Sequence, residues 1–254
     1  MSIFQAIVLG LVQGLTEFIP VSSSGHLLLA HEVFGTTENS LGFDVALHVG
    51  TLLALFVYFR KDIYVLIKNI FARNDEGYLA RLLIIATIPA AVAGFLFSDV
   101  IDENFRSTGI VICTLAFFGL VMLWADRQIR TGKKVSMKQG LAVGFAQVLA
   151  LVPGVSRSGA TITAGLLVGL ERKAAARFSF LLAMPIIAGS ALGLFLKGDL
   201  GGESSTTMVV GMTMAFASGL FAIKFMIDKI SQLGLKPFAY YRIALAAIVF
   251  MFLL

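Results

Sequence analysis

Glu17 and His26 stand nine residues apart in the stretch QGLTEFIPVSSSGH, with Pro20 and the adjacent hydroxyls of Ser22, Ser23 and Ser24 between them. Proline removes a backbone donor and fixes φ, so the chain turns near Pro20 and both ionisable side chains can face one cavity, with the serines at its tip. A serine hydroxyl beside a general base can attack phosphorus, and an imidazole can protonate a departing phosphate. A second stretch, VPGVSRSGAT, sets Arg157 in a Gly/Ser-rich break between Ser156 and Ser158, with Thr161 and Thr163 following as a helix resumes. Free backbone N–H groups at a helix N-terminus, a guanidinium fork and hydroxyls together suit phosphate oxygens. The combined chemistry is phosphoryl transfer. The chain has no Walker motif, HExxH, CxxC or GxGxxG in a dinucleotide-binding context, so the soluble cofactor chemistries carried by those patterns have no footing.

These polar groups are embedded in a chain made for lipid. Hydrophobic residues make up 58% and charged residues 14%, and the mean hydropathy is +0.91, which leaves too little polar surface for water as the solvent. Ionisable side chains inside a bilayer cost roughly 2.5–3.5 kcal/mol on insertion scales, so Glu17, His26 and Arg157 are functional candidates by default. Burying a Glu–Arg pair for stability alone is inefficient, because desolvation can exceed the Coulombic gain. Ser24, Ser158, Thr161 and Thr163 are open to a second reading, since hydroxyls also join membrane helices by hydrogen bonds. The single cysteine, Cys113, excludes an intrachain disulfide and a cysteine-based metal site. Met1 to Pro20 has no basic start or small-residue cleavage site and reads as part of the working protein. The net charge of +5 is spread through loops beside apolar runs, which argues against a nucleic-acid patch.

Six stretches are long enough to cross a bilayer: Phe43–Phe59, Leu82–Phe97, Gly109–Ala125, Phe178–Leu196, Met208–Ile223 and Phe238–Leu254. Lys and Arg crowd the segments 60–81, 127–138, 172–177 and 224–242, whereas the alternate loops carry Glu32, Glu38, Asp99, Asp102, Glu103, Asp199 and Glu203 with only Arg106 and Lys197. By the positive-inside rule the first set is cytoplasmic and both termini are outside. Residues 1–30 and 139–170 are apolar but broken in the middle, and each enters and leaves on one side, so each is expected to be a re-entrant helical hairpin around a buried polar cavity.

A displacement of 134 residues sets Gly10 on Gly144, Gln13 on Gln147, Val21 on Val155, Ser22 on Ser156, Ser24 on Ser158 and Gly25 on Gly159. The expected fold is thus a single all-α membrane domain over 1–254, made of two inverted-topology repeats. Residues 1–125 and 139–254 each hold one hairpin and three spans, and the hairpins meet at a shared site.

The runs QGLTEFIPVSSSGH and PGVSRSGAT, with ERKAAARFSFLLAMP further on, resemble the undecaprenyl-diphosphatase family, also called bacitracin-resistance proteins, over nearly the whole chain. The resemblance implies hydrolysis of undecaprenyl diphosphate to undecaprenyl phosphate and inorganic phosphate. That reaction recycles the lipid carrier of cell-wall synthesis at the bacterial cytoplasmic membrane, in a site opening to the outer side. It further implies Ser23 as nucleophile, Glu17 and His26 as acid–base partners and Arg157 as phosphate clamp. Ser22, Ser156, Gln13 and Thr161 would be substrate contacts, and a divalent cation, Mg2+ or Ca2+, would be held in part by Glu17. Gln13 replaces a carboxylate that other members carry. A transporter or flippase of a polyprenyl phosphate lipid is the rival reading, because inverted repeats around a central anion site are also transporter architecture. The clustered serine, carboxylate and histidine favour the enzyme. Self-association into a homo-oligomer stays open.

Overall fold

A computed structural model of the chain describes residues 1–36, 41–105, 107–128, 130–197 and 203–253. Glu38, Arg106, Asp199 and Leu254, and the side chains of Asp99, Asp102 and Lys197, lie outside the described residues. Eleven helices make up the described chain: α1 (Ile3–Phe18), α2 (Ser23–Phe34), α3 (Leu41–Tyr58), α4 (Arg60–Asn69), α5 (Asp75–Phe105), α6 (Thr108–Asp126), α7 (Met137–Leu149), α8 (Arg157–Leu167), α9 (Arg172–Lys197), α10 (Ser205–Leu233) and α11 (Lys236–Leu253). No strand occurs among the described residues, apart from one isolated bridge between Gly132 and Leu170.

Four helical stretches are long and apolar enough to cross a membrane: Asp75–Ser98, Thr108–Asp126, Arg172–Gly193 and Ser205–Leu233. A fifth is reached if α3 and α4, bent by 76° at Phe59, count as one span. The protein is therefore a multi-pass, all-helical membrane protein. The expected sixth crossing, Phe238–Leu254, falls on α11, which forms a helix but is not among those candidates.

Local chemistry explains the two broken segments. α1 and α7 each start with a capping box, Ser2 with Gln5 and Ser136 with Gln139, in which side chain and backbone satisfy each other's free donors. Residue Ile19, just before Pro20, is extended, as the proline ring demands of its predecessor. α2 and α8 then begin at N-caps Ser22 and Ser156, whose hydroxyls accept from the backbone of Gly25 and Gly159.

Two stretches expected to be loops are helical. Residues 60–69 form α4, where Lys61 and Lys68 share a face and Arg60 lies on the face of the exposed Tyr64 and Ile67, with the following Phe71 also exposed, a mix of cations and apolar side chains suited to a membrane interface. Lys224 and Lys229 sit on the last turns of α10, and Lys236 begins α11, so the expected loop shrinks to Gly234 and Leu235. Counting charges ended the span too early, because long basic side chains are good helix formers and carry their charge outward.

Contacts between loops sort the helix ends into two sets. Lys134 pairs with Asp75, Arg177 with Asp62, and Arg172 with Asp126 at 2.8 Å. At the opposite end, the Met1 amino group lies 3.3 Å from Glu203, Thr108 donates to Glu32, and His31 bonds Asp44. Basic segments meet basic segments, and acidic loops meet acidic loops.

The hairpins pack across the halves. α1 lies on α10, where a Cβ on Gly10 would come within 2.5 Å of the Gly211 carbonyl, and α7 lies on α5, where one on Gly144 would come within 2.3 Å of the Ala86 carbonyl. Small residues permit this backbone approach, which in lipid supplies the packing that hydrophobic burial supplies in water.

Candidate active site

Glu17 is the hub. It sits in the last turn of α1, almost fully buried. Its Oε2 accepts from Ser23 Oγ at 2.6 Å and from Gln13 Nε2 at 2.9 Å, while its Oε1 accepts from Arg157 Nη2 at 2.6 Å. Residues 140 positions apart are thereby joined. Gln13 lies one turn before Glu17 on the same face, and Ser23 and Arg157 are the first residues of α2 and α8. The hydroxyl that can attack, the carboxylate that can take its proton and the cation that can hold an anion are within direct hydrogen-bond reach.

The backbone that delivers Ser23 and Arg157 is strained. Ser22 (φ 78°) and Ser156 (φ 73°) are the non-glycine residues with positive φ among those described, and each immediately precedes a reactive side chain. Such conformations cost on the order of 1–3 kcal/mol and persist where the surroundings over-determine them. The two tips brace each other reciprocally: Gly154 N donates to Ser24 Oγ, and Ser158 Oγ to the Ile19 carbonyl, at 3.4 and 3.5 Å. Gly154, at φ 88°, lies against Thr114, whose hydroxyl a Cβ would overlap at 2.0 Å.

The structure places the other sequence candidates less centrally. Ser22 and Ser156 spend their hydroxyls on helix caps and on Ser24 and Ser158, each at 3.3 Å. Thr161 Oγ1 donates to the Arg157 carbonyl at 2.7 Å and meets Ser179 Oγ at 2.6 Å, tying α8 to α9. His26 bonds the Ser22 carbonyl and Tyr241 Oη and makes no hydrogen bond to Ser23 or Glu17.

Two residues that carry the site were missed. His48, on α3, lies with Nδ1 2.9 Å from Gln13 Nε2 and 3.6 Å from Glu17 Oε2. An amide nitrogen only donates, so the Gln13 amide bridges Glu17 and His48. A histidine inside an apolar span was the signal, by the same cost argument that singled out Glu17. Arg242 was counted among loop cations; it is fully buried on α11 and donates to the carbonyls of Gly154, Val155, Thr114 and Leu115. Four dipoles aimed at one guanidinium make it a clamp on the second tip, not a marker of sidedness.

Among the described residues no three His, Cys, Asp or Glu side chains converge as a metal cage. Oxygen capacity is nonetheless present at the hub, where Gln13 Oε1 is buried without a partner beside the Glu17 carboxylate. Arg157 Nη1 is likewise buried and unpartnered, a free donor on the guanidinium that holds Glu17. A hard cation whose remaining ligands are phosphate oxygens fits this donor set, and so does a phosphate on the guanidinium.

Comparison with known proteins accords with this geometry. An undecaprenyl-diphosphatase of Rubrobacter xylanophilus is 45% identical over 265 aligned positions, covering 98% of this chain and 97% of the relative. The family model described as bacitracin resistance protein BacA matches residues 6–248. With nearly the whole chain matched and the two hairpin tips brought together, the protein belongs to the bacitracin resistance protein BacA family.

Proposed function

We propose that this chain is a membrane phosphatase that hydrolyses undecaprenyl diphosphate to undecaprenyl phosphate and inorganic phosphate. The observation that carries the reading is the single carboxylate that binds both the Ser23 hydroxyl and the Arg157 guanidinium. Glu17 takes the Ser23 proton as Oγ bonds to the terminal phosphorus. The bridging P–O bond breaks, undecaprenyl phosphate leaves, and water then hydrolyses the phosphoserine. Arg157 holds the equatorial oxygens, using its free Nη1 and the backbone N–H groups at the start of α8. His48, behind Gln13, steadies the carboxylate. His26 can protonate the leaving phosphate only if its bond to Tyr241 opens. Glu17 and Gln13 Oε1 are the protein oxygens that would hold a divalent cation with the substrate; when bound, the cation neutralises phosphate charge.

The same reading carries a topology. α3, α5, α6, α9, α10 and α11 cross the bacterial cytoplasmic membrane, and α1–α2 and α7–α8 are re-entrant hairpins of two inverted repeats, with the site opening outward. The two separate sets of loop contacts support it. In a Cys113→Ala background, cysteines at Glu103 and Glu203 should react with an impermeant reagent in spheroplasts, while those at Arg73 and Lys134 should not. Labelling of all four from outside contradicts the inversion. A flippase would need the anion clamp but has no use for a serine seated on a carboxylate.

Purified protein in detergent should release phosphate from undecaprenyl diphosphate, and EDTA should suppress the release. Ser23→Ala should cost several orders of magnitude in kcat with KM little changed, and acid-quenched wild type should carry phosphoserine at position 23. A loss of only about ten- to a hundredfold means that water attacks directly and Ser23 supplies a hydrogen bond. Full activity of Ser23→Ala removes Ser23 from the reaction.

A further inference from the structure

His26 is held at both ring nitrogens. Nδ1 lies 2.7 Å from the Ser22 carbonyl oxygen, and Nε2 lies 2.7 Å from the hydroxyl of Tyr241, which stacks on the imidazole with ring centroids 5.6 Å apart and planes 8° from parallel. A carbonyl oxygen can only accept, so the proton of the neutral ring sits on Nδ1. Nε2 is then an acceptor, and the phenol is the donor. The effect reaches the reactive serine directly, because the Ser22 carbonyl also accepts from the His26 backbone N–H at 3.1 Å. Two donors from one residue fix the peptide that leaves the left-handed Ser22 and enters Ser23.

The second tip is held from the same place. Arg242, next to Tyr241 on α11, grips the carbonyls of Gly154 at 2.7 Å and Val155 at 3.0 Å, immediately before the left-handed Ser156. The position related to His26 in that hairpin is Ala160, so no imidazole intervenes there and the guanidinium acts directly. Adjacent residues of one helix thus reach both strained turns, one through a histidine and one without.

We propose that Tyr241 is a positioning residue for Ser23: its hydroxyl donates to Nε2 and fixes the orientation of the His26 ring, so that Nδ1–H holds the Ser22 turn and Ser23 on Glu17. The proposal rests on the reading of Ser23 as the reacting hydroxyl. Its mechanism is a chain of two hydrogen bonds, the first of which joins residues 215 positions apart.

Tyr241→Phe keeps the stacked ring and removes only the hydroxyl. Protein labelled with 15N-histidine contains three imidazoles, His26, His31 and His48. In wild type the His26 signals should be those of the Nδ1–H form with a hydrogen-bonded Nε2, and in Tyr241→Phe the Nε2 signal should move downfield to that of an unbonded acceptor nitrogen. His31, bonded to Thr36 and Asp44, should stay unchanged. In the phosphate-release assay the same variant should lose about five- to tenfold in kcat with KM within about twofold, as expected for one lost hydrogen bond acting on geometry. Tyr240→Phe, at the more exposed neighbour, should match wild type. Unchanged His26 signals, a wild-type kcat, or a raised KM at constant kcat would each overturn the proposal, the last by making Tyr241 a substrate contact. The spectra need no turnover. A shift of the Nε2 signal in a protein that releases no phosphate therefore refutes the phosphatase reading while supporting Tyr241 as the brace of the Ser22 turn.

Discussion

At positions related by 134 residues, the first hairpin presents Glu17, Ser23 and His26 where the second presents Leu151, Arg157 and Ala160. Yet Ser22 and Ser156 share the same left-handed backbone and cap their helices by the same bond to a glycine N–H. The frame is duplicated and the chemistry is not. Converging helix starts are useful to any anion site, whereas a nucleophile, its base and a cation need three different side chains at three places. Two copies of one turn, each free to change its first residue, supply two of those places, and the last turn of α1 supplies the third.

Substitutions that exchange the characters of the hairpins test this division. Glu17→Gln should have the largest effect: about 10²–10⁴-fold in phosphate release from loss of the base, with about 3–5 kcal/mol of destabilisation because Arg157 loses its buried partner. Leu151→Met, at the related position, should stay within about twofold in the same assay. Comparable losses for the pair would mean that Glu17 is structural. Next in size, Arg157→Lys should lose roughly a hundredfold, because a point ammonium cannot hold Glu17 and a phosphate oxygen at once as the planar fork does. Turnover like wild type would strip Arg157 of the clamp role.

His48→Leu, which installs the residue found at the related position 182, should cost about tenfold in kcat by freeing the Gln13 amide. A loss as large as that of Glu17→Gln would instead make His48 a participant in the chemistry. The smallest effect belongs to Gln147, the counterpart of Gln13. With Leu151 in place of a carboxylate one turn on, both of its polar atoms are buried without a partner. Gln147→Leu should therefore leave turnover within about twofold and raise the thermal midpoint, since an unpaired buried amide costs about 1–3 kcal/mol. A large drop in activity would show that the second hairpin also binds substrate through its amide.

The breaks between α1 and α2 and between α7 and α8 were legible in the sequence because Pro20, Pro153 and the Gly/Ser clusters punctuate apolar runs, the Ser and Gly positions recurring at 134 residues. Glu17 and Arg157 were legible because charge buried in lipid is costly, whereas Ser23 was singled out among three adjacent hydroxyls by the family resemblance. His48 escaped because the run around it was read only for its length. Arg242 escaped because the span was started four residues before it while its charge was still assigned to a loop. α4 was hidden for a similar reason: counting Arg60, Lys61 and Lys68 marked a side of the membrane and passed over the helical spacing of the apolar residues between them. The bond between His26 and Tyr241 had no local signal at all, since nothing in either segment specifies a partner 215 residues away.

The packing of α1 against α10 bears on how the protein is made. The helix that carries Glu17 leaves the ribosome well before its partner, because the surface that receives Gly10 and Gly14 lies around Gly211 and Ser218, about 200 residues later. At synthesis rates of about 5–20 residues per second the delay is roughly 10–40 s. α7 has no such wait, because α5 already precedes it. Glu17 waits about 140 residues for Arg157, and α1 waits longer still for α10. α1 thus waits longer for the helix it packs on than α7 does.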